Sequence, residues 1–166
     1  MKPDSSRTAF HGTLIRVEVE SWPAGEREVV RHPGACGIVA LTPDGDVLLV
    51  RQTREAIRRD TLEIPAGVLD VPGEQAAACA ARELREETGY DARDVRPLAT
   101  IHTSPGFTDE VIHLFTAQAT PGTHPEQGIE VVHLPLPEAV AAVRDGRITD
   151  AKTAVGLLLA EARQEG

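Results

Sequence analysis

The stretch that decides the fold is Gly67-Val68-Leu69-Asp70-Val71-Pro72-Gly73-Glu74, then Gln75-Ala76-Ala77-Ala78-Cys79-Ala80-Ala81, then Arg82-Glu83-Leu84-Arg85-Glu86-Glu87-Thr88-Gly89-Tyr90. The alanine run is a strong helix former and Gly89 suits the left-handed stop, so a helix is predicted over Glu74 to Thr88. On that helix Glu83 and Glu87 are four apart, and Glu83 and Glu86 three apart, so all three lie on neighbouring parts of one face. Like charges at this spacing cost roughly 0.2–0.5 kcal/mol a pair, a cost that solvent or a cation must offset. Hard divalent cations take carboxylate oxygens together with substrate phosphates. The ordinary reading of such a helix is a solvated face laced with ion pairs, and Arg82 and Glu86 do stand at i,i+4. The context favours a site instead. A Pro-Ala-Gly turn precedes the helix, Gly-Tyr closes it, and the small residues Ala76 to Ala81 suit close approach of another backbone layer.

Strands are predicted on both sides of this helix. Upstream, Gly12 to Glu20 and Glu26 to Arg31 form a hairpin around Pro23-Ala24-Gly25. Ala35 to Leu41 reads as a buried strand, and Val47 to Gln52 as its partner across Pro43-Asp44-Gly45-Asp46. Residues 53–60 read as a charged loop and Thr61 to Pro65 as a short strand. Downstream, Val95 to Thr100, Val111 to Ala119 and Ile129 to Pro135 read as strands. Pro137 to Arg144 and Asp150 to Arg163 read as helices. Asp150 or Thr149 caps the second of these, and Ala154, Leu157, Leu158 and Leu159 supply its apolar face. Strands around a central helix, with helices at the end, predict an α+β or α/β sandwich.

Bulk properties narrow the function. The 166 residues suit one domain with a real core, and 41% apolar with 26% charged residues is a globular composition. Seventeen basic against twenty-six acidic residues give a net charge of −9, which argues against nucleic-acid or anionic-membrane binding. An acidic protein that handles a polyanion needs a metal and a few placed arginines. Cys36 and Cys79 lie among small apolar residues and read as buried reduced thiols, with a disulfide the lesser alternative. The N-terminus lacks a basic-then-apolar signal, and the run Val155 to Ala160 is too short to span a bilayer. The default location is the cytoplasm.

From Glu74 onward, through Arg82, Glu83, Leu84, Glu86, Glu87 and Gly89, the chain resembles the Nudix hydrolases. The resemblance departs in the loop, where six residues rather than five separate Gly67 from Glu74; one extra loop residue is easily accommodated. The resemblance implies a Nudix α/β/α sandwich with a mixed sheet between helices. It divides the chain into a flexible terminus (1–11), N-terminal antiparallel strands that pair subunits (12–34) and the Nudix domain (35–166). It further implies that Glu83 and Glu87, with Glu86 and the backbone carbonyl of Ala66, ligate Mg²⁺, with Mn²⁺ able to substitute. Arg82 would orient the glutamates, and Gly67, Glu74 and Gly89 would be structural.

Val50 to Arg54, Leu62 to Gly67, Arg31 to Ala35 and Pro105 in the Ser104 to Glu110 loop are similar to the ADP-ribose (ADP-sugar) pyrophosphatase branch. That likeness implies hydrolysis of ADP-ribose to AMP and ribose 5-phosphate by a cytoplasmic homodimer. Arg51 would contact phosphate, with Arg54 beside it, although both also read as a solvated strand end. Glu63 would be a supporting acid or a partner for a substrate hydroxyl. Trp22 would stack adenine or fill core. The acid that activates water falls to Glu126, Glu130 or Glu86; the family position is nearest Gln127, which cannot act as a base. Two rival readings are a hydrolase of another nucleoside diphosphate sugar such as GDP-mannose, and a non-catalytic nucleotide-sugar sensor. The three intact glutamates argue against the sensor.

Overall fold

The strand β4 (Ala35–Leu41) is apolar in both of its alternating sets, and six of its seven residues are buried. A strand of that kind belongs in the centre of a sheet covered on both faces. The computed structural model, which describes residues 1–122 and 128–164, places it there. β4 runs parallel to β9 (Val111–Pro121) and antiparallel to β5 (Asp46–Arg54) and the short β7 (Ala66–Val68). β8 (Tyr90–His102) pairs outside β9, β10 (Glu130–Pro135) pairs with β5, and β6 (Arg59–Glu63) also pairs with β5. The result is a mixed seven-stranded sheet.

Helix α1 (Ala76–Thr88) covers one face, where Cys79, Ala80 and Leu84 pack on Cys36, Ile38, Ala40 and Phe115. Helices α2 (Leu136–Arg144) and α3 (Ala151–Gln164) cover the other, around Val39, Leu49, Ile64, Leu114 and Leu157. The fold is the α/β/α sandwich expected from the sequence. The small residues of α1 do meet a backbone layer closely: Cys36 and Cys79 are free, buried thiols with their Sγ atoms 2.8 Å apart. Burial pushes both thiols up, so neither is a reactive thiolate.

Several boundaries differ from expectation, each for a physical reason. Residues 1–11 are not a loose tail. Ser5–His11 form β1, which pairs with β2 (Arg16–Trp22), which in turn pairs with β3 (Gly25–Arg31). β1 is exposed along its whole length, so no apolar alternation announced it. The expected loop at 53–60 shrinks to a turn at 55–58, because β5 runs on to Arg54 and β6 starts at Arg59. The turn between them holds Arg58 at φ 56°, a left-handed residue without the glycine that signals one. α1 starts at Ala76 rather than Glu74, because Glu74 closes a turn onto the Val71 carbonyl and Gln75 is extended at φ −77° and ψ 143°. On α3 the buried set is Thr153, Gly156, Leu157 and Ala160, while Leu158 and Leu159 stay exposed. Gly156 sits where a side chain would meet Val39 and Ile64, so the helix turns its smallest residue to the sheet.

The three-stranded N-terminal sheet is tied to the main body through one loop. Val30 donates to the Phe107 carbonyl at 2.7 Å and Asp109 donates back to the Val30 carbonyl at 3.1 Å. Arg31 adds ion pairs to Glu18, Glu20 and Asp109. Among the described residues no helix is long and apolar enough to cross a membrane.

Candidate metal-assisted hydrolase site

Helix α1 brings its acids to the β6–β7 turn because its other face is filled by the core. Leu84 is fully buried among Cys36, Ile38 and Phe115, and that fixes the rotation of the helix. Gly89 then ends it with φ 77°, its N–H donating to the Arg85 carbonyl at 2.8 Å. In this setting Glu83 and Glu87 both meet the Ala66–Gly67 backbone. The Glu83 carboxyl lies where a Cβ at Gly67 would be, so any side chain at position 67 would push that carboxyl out of its place. The Glu87 Oε2 accepts the Ala66 N–H at 3.2 Å.

Arg82 organises the exposed side of the cluster. Its Nε and Nη2 clasp both oxygens of Glu74 at 3.0 Å. Its Nη1 reaches Glu83 at 2.6 Å and Glu86 at 2.9 Å. The Glu74 hydrogen bonds, then those from Glu83 and Glu86, raise the guanidinium pKa above its usual range. One cation therefore holds three carboxylates.

Glu87 stands apart from that arrangement. It is 7% exposed and, among the described residues, has no cation in direct contact. Gln52 donates to it at 2.6 Å, opposite the Ala66 amide. Burial pushes its carboxyl up to about 7, and the charge of Glu83 adds to the push against those two hydrogen bonds. Burial also raises Glu83, against the pull of Arg82.

Among the described residues no three His, Cys, Asp or Glu side chains already converge as a metal cluster. The reason is visible: Arg82 draws Glu83 and Glu86 to itself, while Gln52 and the Ala66 amide hold Glu87. The donor set nonetheless fits a hard divalent cation, because it is all carboxylate and carbonyl oxygen. The glycine cradle and a buried carboxylate without a counter-ion fit it too.

The neighbouring cavity, about 610 Å³, runs along Ala66, Gly67 and Val68. Its wall also includes His32, Thr103 and Glu110 and, from other elements, Arg54, Glu63, Asp150 and Lys152. Arg54 grips Glu63 with two bonds, at 2.7 and 2.5 Å. Thr61 adds a 2.5 Å bond, and Lys152 is ion-paired to the same carboxylate. Burial alone would raise the Glu63 carboxyl, but the Arg54 bonds and the Lys152 charge outweigh it and hold it at about 2.

The structure brings together Ala66, Gly67, Glu83, Glu87, Arg54 and Glu63, with Glu86 at the rim through Arg82. It leaves others outside this cavity. Arg51 pairs with Glu130 at 3.1 Å, and both side chains are largely exposed. Arg51 alternates along β5 with Gln52, so the two point to opposite sides of the sheet. Trp22 ends β2, half-buried, with its indole N–H on Glu20 at 3.0 Å. Pro105 is exposed in a turn closed by Phe107 N–H to the Ser104 carbonyl at 3.1 Å. Glu126 lies outside the described residues. Sequence reasoning missed Gln52 and Lys152. Gln52 follows Arg51 in β5 and Lys152 opens α3, and only the fold shows that each meets an acid far away in sequence.

Comparisons with known proteins agree with this geometry. The NUDIX domain family model matches residues 30–154. A methanol dehydrogenase activator of Bacillus methanolicus is 36% identical over 159 residues, covering 89% of this chain and 85% of that one. An ADP-ribose pyrophosphatase of Bacillus subtilis is 37% identical over 147 residues, covering 85% and 79%. The crystal structure of an ADP compounds hydrolase superposes with a TM-score of 0.83 at 24% identity, covering all of this chain and 96% of the other, and so shares the fold. With a family match across most of its length and relatives this similar, the chain belongs to the Nudix family.

Proposed function

We propose that the chain hydrolyses the pyrophosphate bond of ADP-ribose, adding water to give AMP and ribose 5-phosphate. The observation that carries this is the pair Glu83 and Glu87, set by one helix against the Ala66–Gly67 backbone at the edge of a 610 Å³ cavity. The similarity to an ADP-ribose pyrophosphatase supports the choice of substrate.

Glu83, Glu87, Glu86 and the Ala66 carbonyl would hold Mg²⁺, or Mn²⁺ in its place. When bound, the cation neutralises phosphate charge and makes water more acidic. The chain's own residues do the rest. Arg82 spaces Glu83 and Glu86, and Gln52 with the Ala66 amide orients Glu87. Arg54 spends Nε and Nη2 on Glu63, which leaves Nη1 for a phosphate oxygen. The base that takes a proton from water comes from Glu86, Glu126 or Glu130. The Gln variant of each, assayed separately, identifies it by the largest loss of turnover.

The assembly is a homodimer through the N-terminal sheet. β1 leaves a fully exposed strand, with exposed apolar Phe10 on it and exposed Leu14 just after it. Trp22 lies on this sheet and not in its own chain's cavity, so it reaches adenine in the site of a second copy. The net charge of −9 fits a small-molecule substrate in the cytoplasm rather than nucleic acid or membrane.

The test is product release from ADP-ribose, ADP-glucose, GDP-mannose, NADH and diadenosine polyphosphates, with Mg²⁺ and with chelator. AMP release should be fastest from ADP-ribose and should vanish with chelator. Fastest GMP release from GDP-mannose would select that substrate instead, and tight nucleotide-sugar binding without turnover would select the sensor.

A further inference from the structure

We propose that Lys152, at the start of α3, is a substrate-binding residue whose ammonium contacts the diphosphate of the substrate beside Arg54. The inference rests on the hydrolase reading above and adds to it a cation from a helix far outside the acidic motif.

Three observations carry it. First, Lys152 lines the cavity that also runs past Ala66 and Gly67, yet its side chain is only 10% exposed. Burying an ammonium is costly unless it is paired, and long lysine side chains normally place the charge in water. Second, its partners leave capacity unspent. An ammonium carries three N–H donors. One goes to Glu63 and one to Asp150 Oδ2, at 3.0 Å. Among the described residues the third has no acceptor, and Lys152 is one of the residues that line the cavity.

Third, the helix end and a neighbouring arginine oppose a cation here, and two carboxylates hold it in place. Lys152 is the second residue of α3, where the helix end is itself positive. Arg54, a second cation, shares Glu63 with it. The acids that hold Lys152 there are themselves fixed. Glu63 is 2% exposed, and Asp150 caps α3 through the Thr153 N–H at 3.0 Å and hydroxyl at 2.6 Å. Thr153 in turn accepts the Ile64 N–H at 2.9 Å. Two cations and a positive helix end therefore line one cavity, fixed in place by the Glu63 and Asp150 carboxylates that line it beside them. A polyanion meets that arrangement without any charge having to move.

The experiment compares the wild-type chain with Lys152→Met, Lys152→Gln and Lys152→Arg. Melting temperatures establish which variants fold, and Lys152→Gln keeps donors for Glu63 and Asp150 if Lys152→Met does not fold. Steady-state kinetics on ADP-ribose with Mg²⁺ give KM and kcat. Calorimetry gives the affinity for α,β-methylene ADP-ribose, a non-hydrolysable diphosphate, and for adenosine, which is neutral.

The neutral variants should raise KM about 10- to 100-fold with kcat changed less than about threefold, as for a lost charge-assisted contact. They should weaken the methylene analogue equally and leave adenosine unaffected. Lys152→Arg should recover most of the loss. Equal KM in all folded variants, or a fall in kcat with KM unchanged, overturns the assignment. Failure of the wild-type chain to hydrolyse ADP-ribose sinks the hydrolase reading separately. In that case selective loss of the methylene analogue in the variants still upholds Lys152 as a diphosphate contact, and no binding by the wild type overturns both.

Discussion

Glu63, in the cavity wall, and Glu87, bonded to the Ala66 amide beside it, are both buried glutamates, and the fold treats them in opposite ways. Glu63 is met by two cations and held at about 2. Glu87 is met by two neutral donors and pushed up to about 7. The first has its charge fully answered within the chain. The second, among the described residues, has no cation in contact and only the more distant charge of Lys152 in its favour. A buried carboxylate that touches no internal cation is where an external one gains most, so the contrast separates a residue that builds the site from one that works in it.

The sharpest way to break the comparison is to make both residues glutamine. Glu87→Gln should cut turnover by at least about a thousandfold, because it removes an anionic ligand without changing shape. In chelator at pH 8 the same variant should melt no lower than the wild type. Glu87 has its pKa raised on folding, so its ionisation opposes folding above about 7, and that penalty fades as pH falls toward 4.5. Near-normal turnover in Glu87→Gln would remove it from the metal site.

Glu63→Gln should do the reverse, losing stability first. It strands Arg54 and Lys152 without their shared anion, and breaking a buried pair costs about 3 kcal/mol, toward the lower end for a partly exposed arginine. Urea denaturation at pH 7 measures it. The pH dependence sharpens the point. The Glu63 pKa is depressed on folding, so its stabilisation is complete above the ordinary 4.5 and is lost as pH falls toward about 2. Wild type should lose stability through that window more steeply than Glu63→Gln, and parallel curves would show that Glu63 is not held by its cations.

The two halves of this contrast were not equally legible in the sequence. Glu83 and Glu87 announce themselves because helical spacing is a local property: four residues on one helix share a face whatever the rest of the chain does. Gly89 and the Asp150 cap are local in the same sense. β4 was legible because an unbroken apolar run has few places to go. Gln52 and Lys152 carried no local mark, since their meaning lies in partners brought close by the sheet. β1 was missed because an exposed strand has no buried face to set a period, and the 55–58 turn because Arg58 takes a glycine's conformation. Arg51 was read as the phosphate contact from the resemblance and its planar donor fork, while the fold pairs it with Glu130 across adjacent strands.

The aromatic residue tests the comparison from outside the cavity. Trp22→Ala should raise KM for ADP-ribose about 10-fold and lower kcat less, since stacking a base on an aromatic ring contributes roughly 1–3 kcal/mol. The indole is half-buried and anchored on Glu20 rather than packed in the core, so the variant should remain folded by circular dichroism. A variant that unfolds instead would make Trp22 a packing residue.

The smallest effect belongs to the pair that most resembles Glu63 and Arg54 on paper. Arg51 and Glu130 are joined at 3.1 Å across adjacent strands, yet the two side chains are 44% and 61% exposed. Water already solvates both charges, so the pair contributes under about 1 kcal/mol. Glu130→Gln should therefore shift the urea midpoint barely at all and leave turnover within about twofold. If turnover fell a hundredfold with stability intact, the same carboxylate would have to leave Arg51 during catalysis and act as the base on water. Its place on β10, directly opposite Arg51 in register, makes that departure the measurable step: Arg51→Ala would then free Glu130 and raise turnover rather than lower it.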